Sequence, residues 1–181
     1  MVAESIGKYK YKKYILKYLT KLKILLISII DGGIYFMEIF TSTQVGRTFI
    51  IRMERGDYLR ESLIELAENE SIKNAVILSG IATFEEAFFQ MSITSGFPME
   101  YHVEHLKEPL ELASLDGTII NSEPHLHGVV SNPNKTWAGH ILNGCRILYL
   151  GEIVIQELLG NQLKRKPDKD GVMLISENGG L

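Results

Sequence analysis

"EPHLHGVVSNPNKTWAGHILNG", Glu123–Gly144, carries enough local information to select an architecture. Asn132-Pro133-Asn134-Lys135 at its centre is turn chemistry, because asparagine bonds its own backbone and proline presets φ. With a four-residue loop there, Ser131 faces Thr136 and the numbers of paired residues sum to 267. His127 then lies opposite His140, and directly opposed residues have β-carbons about 4.5–5.5 Å apart. His125 is two residues from His127 and shares its face. The other face collects Leu126, Val130, Trp137 and Ile141, with Gly128 and Gly139 among them where a neighbour can approach closely. A one-residue slip would carry His140 into the apolar set. The stretch therefore predicts an antiparallel hairpin with one core face and one face of three imidazoles.

Downstream of it, "CRILYLGEIVIQEL" is almost continuously apolar and reads as a central strand. Upstream, Val45–Met53 is rich in β-branched and aromatic residues and reads as a strand. Arg55-Gly56-Asp57 is a turn, with Asp57 placed to cap a helix over "YLRESLIELAENE". Leu59, Leu63 and Leu66 or Ala67 form that helix's apolar stripe. "NAVILSGIATF" and "EEAFFQMSI" read as two further strands, and Thr94–Pro98 as a turn. In "MEYHVEHLK", Tyr101, Val103 and His105 share one face and His102 and Glu104 the other, the latter pair reading as solvated. "PLELASLDGTII" is another strand. One principal helix packed on many strands joined by short turns predicts an α+β domain with a mainly antiparallel sheet.

The chain has 181 residues, 45% of them apolar and 23% charged, which is enough to build one core. Cys145 is the single cysteine, so there is no disulfide framework and no cysteine-built zinc site. It sits before a buried strand and reads as a small core residue. A reducing cytoplasm is the expected compartment. Net charge is −3, yet residues 1–36 hold seven lysines against Glu4 and Asp31, which leaves −8 on the remainder. An acidic body excludes general phosphate attraction, so any nucleic-acid contact needs a local basic patch. Lys164, Arg165 and Lys166 in the tail are the candidates.

Residues 1–36 differ in composition from the rest of the chain and read as a basic extension, dispensable to the fold or a misassigned start. The apolar run Ile24–Ile30 is far shorter than the roughly 18–20 residues of a spanning helix. Tyr11, Ile15, Tyr18 or Leu19, and Leu22 fall at helical spacing, so a basic amphipathic helix is the competing reading. Ordinary domain patterning begins at Met37, giving one domain over residues 37–181 with a polar, then apolar, tail from about residue 161. That tail is expected at a sheet edge or on a neighbouring subunit.

Three neutral imidazoles at this spacing can bind one divalent metal per subunit and leave a fourth position open. Zinc fits best, while nickel, cobalt and iron remain open on ligand type. The structural alternative is that the histidines are satisfied by hydrogen bonds or line a subunit contact. Glu123 is a candidate to orient a histidine ligand or to act as a base. No catalytic residue is assigned.

Four stretches, "MERGDYLRESLIELAENESIKNAVILSGIATFEEA", "LELASLDGTI", "PHLHGVVS" and "WAGHILNGCRILYLGEIVI", together resemble the PPC domain, the plants and prokaryotes conserved domain, from about Gln44 to Glu157. The resemblance implies a PPC-like α+β fold assembled as a homotrimer. It implies the stand-alone prokaryotic type, described as DNA-binding, in which the pattern formed here by His125, His127 and His140 is similar to a metal site. In plants the domain follows AT-hooks, which place an Arg-Gly-Arg-Pro core in the minor groove. This chain has no such core. The plant partner-contact motif resembles Gly-Arg-Phe-Glu-Ile-Leu, and here "EPLELA" puts Pro109 where the arginine stands. Three functions from different classes are compatible with these residues. One is a homotrimeric regulatory module acting on DNA or a DNA-bound partner. The second is a metal-dependent enzyme or small-molecule-binding protein using the three histidines. A plain scaffold stapled by metal is the third.

Overall fold

The computed structural model describes residues 12–16, 23–30 and 33–177, with side chains from residue 37 onward. The chain divides into two compact units, Met1–Ser42 and Thr43–Leu181.

In the first unit, β1 (Lys12–Leu16), β2 (Lys23–Ile30) and β3 (Gly33–Phe40) form an antiparallel sheet in that order. Ile15 therefore lies in a strand, opposite Leu26, and not on an amphipathic helix. The β-branched run in β2 favours a pleated partner over a helical turn. Tyr11, Tyr18, Leu19 and Leu22 lie outside the described residues. Met37, the expected start of domain patterning, is inside β3, and the unit boundary falls after Ser42.

The second unit carries β4 (Gln44–Glu54), α1 (Leu59–Asn69), β5 (Asn74–Ser92), β6 (Tyr101–Leu106), β7 (Leu110–Ile120), β8 (Glu123–Ser131), β9 (Thr136–Ile141) and β10 (Arg146–Leu159). Its main sheet runs β4-β10-β5-β7-β8-β9, with β6 on β5, and its pairings are antiparallel. β9 also returns to β5 through Phe89↔Ile141 and Gln90↔His140, so β5, β7, β8 and β9 close into a ring. Among the described residues the chain forms the expected mainly antiparallel sheet with one principal helix, α1.

β5 corrects one expectation. The two strands read upstream of Thr94 are one strand of 19 residues. Glu85 and Glu86 look like a break in sequence, but each has a partner: Glu85 meets Arg146, and Glu86 meets His105 Nε2 at 2.7 Å. The register shifts there, and Phe84 and Ala87 are both buried despite their odd spacing. Such a bulge bends the strand. The first half of β5 then pairs with β10 and β7, and the second with β6 and β9.

α1 buries Leu59, Leu63 and Ala67, the predicted stripe, with Leu66 packed beside them. Each fully buried leucine contributes about 1.5–3 kcal/mol of transfer free energy. The expected cap is corrected. Tyr58 is the N-cap residue and makes no side-chain cap. The Asp57 carboxylate instead accepts the Glu54 N–H at 2.8 Å, and its carbonyl accepts the Ile147 N–H at 2.8 Å. Asp57 therefore ties the β4–α1 turn to β10.

The core includes Phe84, Phe89, Leu112, Leu126, Ile147 and Ile153, all from the sheet, under the buried face of α1. β10 is central, as read from its sequence, with β4 on one side and β5 on the other. The tail forms a separate hairpin, β11 (Leu163–Pro167) and β12 (Met173–Glu177), against β7. Among the described residues no helix is long and apolar enough to cross a membrane.

Candidate metal centre and its cavity

The hairpin closes as its turn residues dictate. Asn132 Oδ1 accepts the Asn134 and Lys135 N–H groups, each at 2.8 Å. Ser131 then pairs with Thr136, and His127 with His140. Burial alternates along β8: Pro124, Leu126, Gly128 and Val130 are buried, and the residues between them are more open. Leu126, Val130 and Ile141 are fully buried and Trp137 packs beside them. Gly128 and Gly139 lie in this tight layer, where an added Cβ would come 2.7 Å from Ile141 Cδ1 and 2.9 Å from the Gln90 carbonyl oxygen.

On the opposite face His125, His127 and His140 meet. Their nearest ligand atoms all lie within 4.8 Å of one another. The His125 and His127 rings are nearly parallel, 5° apart with centroids at 5.4 Å, and their Nε2 atoms are 3.3 Å apart. His140 stands across both, with centroids 4.7 Å from His125 and 5.3 Å from His127. Two imidazoles on one tetrahedral zinc, with bonds of about 2.0–2.1 Å, have their nitrogens about 3.3–3.4 Å apart. The 125–127 pair already has that spacing, and the ligand atom of His140 lies within 4.8 Å of both. The group therefore fits a three-histidine metal site. Burial, then the neighbouring imidazoles and guanidinium groups, pushes His140 down to about 4. His125 is lowered too, first by burial and then by Arg165, His127 and Arg60. A metal needs the neutral ring with its lone pair free, and at neutral pH these surroundings favour that form.

The histidines open into a cavity of about 910 Å³. Two arginines reach it from distant parts of the chain. Arg60, on α1, donates to Glu123 and to Asn143. Glu123, the candidate orienter, thus has Arg60 as its hydrogen-bond partner, and among the described residues no hydrogen bond joins it to a histidine. Arg165, on β11, donates from Nη2 to Thr118 Oγ1 at 3.0 Å. Its Nε is buried without a partner, and burial lowers its pKa from the usual arginine value. Lys164 and Arg165 line the cavity, whereas Lys166 is exposed. The three basic tail residues therefore do not form one outward patch.

Sequence reasoning misses Arg60 as a site residue, and it places Arg165 on a nucleic-acid surface. Arg60 sits on the polar side of an amphipathic helix, and nothing local distinguishes it from a solvated arginine. The other histidines lie elsewhere. His102 pairs with Glu104, which also accepts from the Trp137 indole, and His105 stacks on Phe88. Cys145 is buried, and desolvation raises its thiol to about 11, which fits a packing role.

Residues 40–159 match the profile of the Plants and Prokaryotes Conserved (PCC) domain. A plant- and prokaryote-conserved protein from Pyrococcus horikoshii is 30% identical, with TM-score 0.66 over 77% of this chain and 99% of that one. A metal-containing protein from Archaeoglobus fulgidus is 26% identical, with TM-score 0.69 over 78% of this chain and all of that one. Among curated relatives, the bifunctional protein GlmU of a Synechococcus strain is 27% identical over 124 residues. These are 67% of this chain, but the match spans only 18% of that protein's length.

Proposed function

The chain belongs to the Plants and Prokaryotes Conserved domain family, and from that premise we propose that it is a homotrimeric, metal-dependent small-molecule-binding protein. His125, His127 and His140 hold one divalent metal per subunit, with zinc favoured by the all-imidazole set. The observation that carries this reading is the placement of three converging imidazoles in a cavity of about 910 Å³, a size suited to a small organic ligand. The Archaeoglobus fulgidus relative, described as metal-containing, supports it. When bound, the metal would supply a Lewis-acidic position for a ligand oxygen. The chain's own residues do the rest. β8 and β9 fix the imidazoles on one shared face, α1 brings Arg60 to hold Glu123, and the tail hairpin walls the cavity with Arg165.

The homotrimer draws support from the outer face of β4, β10 and β5. Ile50 is 84% exposed, Leu78 54%, Ile81 48% and Leu150 47%. Neighbouring strands gather these side chains on one face, an arrangement that marks contact surfaces. Sedimentation should give three chains per particle, and Ile50→Glu should weaken the assembly.

A DNA-associated regulatory role is the second reading, favoured by the lysine-rich residues 1–36. It requires DNA affinity that falls steeply with salt. Absence of binding at low salt removes it.

The metal reading is tested by measuring metal per chain in the purified protein and in His125→Ala and His140→Ala. About one zinc per chain, lost in both variants, is expected. Unchanged metal content in the variants, or none after zinc is supplied, would refute the site.

A further inference from the structure

We propose that the cavity over the three histidines binds a small organic carboxylate whose head group is held by Arg165. The inference deepens the small-molecule reading by naming the ligand's chemistry, and it rests on that reading for the metal alone.

Charge comes first. Of the residues lining the cavity, Arg60, Lys164 and Arg165 are basic and Glu123 is the acid. Arg60 and Glu123 are bonded to each other and cancel. The imidazoles are left out of this balance. Two positive charges therefore remain on the cavity wall before any metal arrives, and a divalent ion would add to them. A partly enclosed site with that surplus selects an anion.

Arg165 identifies where the anion sits. A guanidinium carries five N–H donors and no acceptor. Arg165 gives one to Thr118, and its buried Nε has no partner. Among the described residues no carboxylate lies within ion-pair distance of it. Glu123 acts on it through space but is bonded to Arg60, so the half-buried guanidinium has no direct counter-charge, which costs free energy. An anion in the cavity, with a slight turn of the side chain, would complete both the charge and the donor count.

The shape of the walls then chooses among anions. Phosphate cradles are built from successive backbone N–H groups at helix N-termini or glycine-rich loops. Strand side chains make up most of this wall, joined by Arg60 from α1 and by loop residues such as Asn121 and Gly171, and the planar fork of arginine takes a carboxylate with two parallel bonds. Met91, Met99, Tyr101 and Val172 supply an apolar surface beside the charged end. A carboxylate with a short apolar body fits both halves.

The test is calorimetric titration of the full chain with hexanoate, hexanol and hexyl phosphate, with metal content measured on the same samples. Hexanoate should bind and hexanol should not. Arg165→Gln should weaken hexanoate by about tenfold or more while leaving metal content unchanged. Arg165→Lys should recover part of the loss, and Thr118→Val should stay near the parent, because it removes Arg165's neighbour and keeps its charge. Equal binding of hexanol, no binding of hexanoate, tighter binding of hexyl phosphate, or undiminished binding in a folded Arg165→Gln would each overturn the proposal. If Arg165→Gln does not fold, the contrast between hexanoate and hexanol on the parent chain decides the charge requirement. Metal without hexanoate binding refutes this inference and spares the metal reading. Hexanoate binding that needs Arg165 in a chain that holds no metal does the reverse.

Discussion

The β8–β9 hairpin has two faces made from the same few residues, and they obey different physics. One face carries Leu126, Val130 and Ile141, which are fully buried. The other carries His125 and His140, half-buried, and His127, exposed. Strand parity alone separates them, since neighbouring residues point to opposite sides. The core face is bound by packing density, where any change in volume is felt. The histidine face is bound by convergence of donor atoms, and packing around it is loose enough to leave a cavity. Stability therefore belongs to one face and ligand chemistry to the other, so substitutions should separate the two.

The largest stability effect should come from the core face. Leu126→Ala removes a fully buried side chain and should cost about 2–5 kcal/mol in denaturant unfolding. Metal content in the fraction that remains folded should be unchanged. A loss of metal from folded Leu126→Ala would mean that the two faces are not independent.

The next effect comes from the backbone that holds the hairpin to β7. Gly117 has φ +153°, and a Cβ there would lie 2.2 Å from the His125 carbonyl oxygen. Gly117→Ala should cost about 1–3 kcal/mol and disturb the histidine face as well, because the clash falls on its own strand. Unfolding and metal titration should both shift. A shift in stability alone would show that the strand absorbs the clash without moving His125.

A control remote from both faces comes from β10. The Glu157 side chain is 9% exposed and accepts both the Arg47 backbone N–H and its guanidinium, at 2.8–2.9 Å. The bond to Arg47 holds this carboxyl below the usual carboxylate range. A depressed folded-state pKa stabilises the protein above the unfolded value of about 4.3, and that contribution is lost as pH falls through the folded value. Glu157→Gln should therefore lower the melting temperature at neutral pH and flatten its fall in acid. An unchanged acid limb would remove this pair as a cause.

The smallest effect should come from the histidine face. In metal-free protein His127→Ala should change stability by no more than about 0.5 kcal/mol, as surface substitutions do. A larger loss would mean that His127 packs as well as points.

The two faces and their surroundings are also unequally legible in the sequence. The hairpin register can be read because everything that sets it is local: the Asn132–Lys135 turn, the alternation on either side of it, and the Gly128–Gly139 pair. Arg60 cannot be read as a site residue, because the Glu123 it meets is 63 positions away and no local pattern links the helix to that strand. Arg165 is 47 positions from Thr118, and a run of Lys164, Arg165 and Lys166 looks like a solvated basic patch until β11 folds over the cavity. β5 reads as two strands because paired glutamates at a bulge look the same in sequence as a polar break. Asp57 has the composition of a helix cap, but the turn before the helix offers the Glu54 N–H as a competing donor, and the turn wins. Within the first unit, the Ile24–Ile30 run is read only as an apolar stretch too short to span a membrane, because the lysines around it suggest a helical period that the β2 pairing does not follow.

Whether the open face of the hairpin is a three-histidine metal site is decided by X-ray absorption at the zinc edge of the zinc-loaded chain. Three imidazole nitrogens at about 2.0–2.1 Å and one oxygen at the remaining position are expected. Sulfur at about 2.3 Å, which would implicate Cys145, or a shell of oxygens with fewer than three imidazoles, would contradict the site.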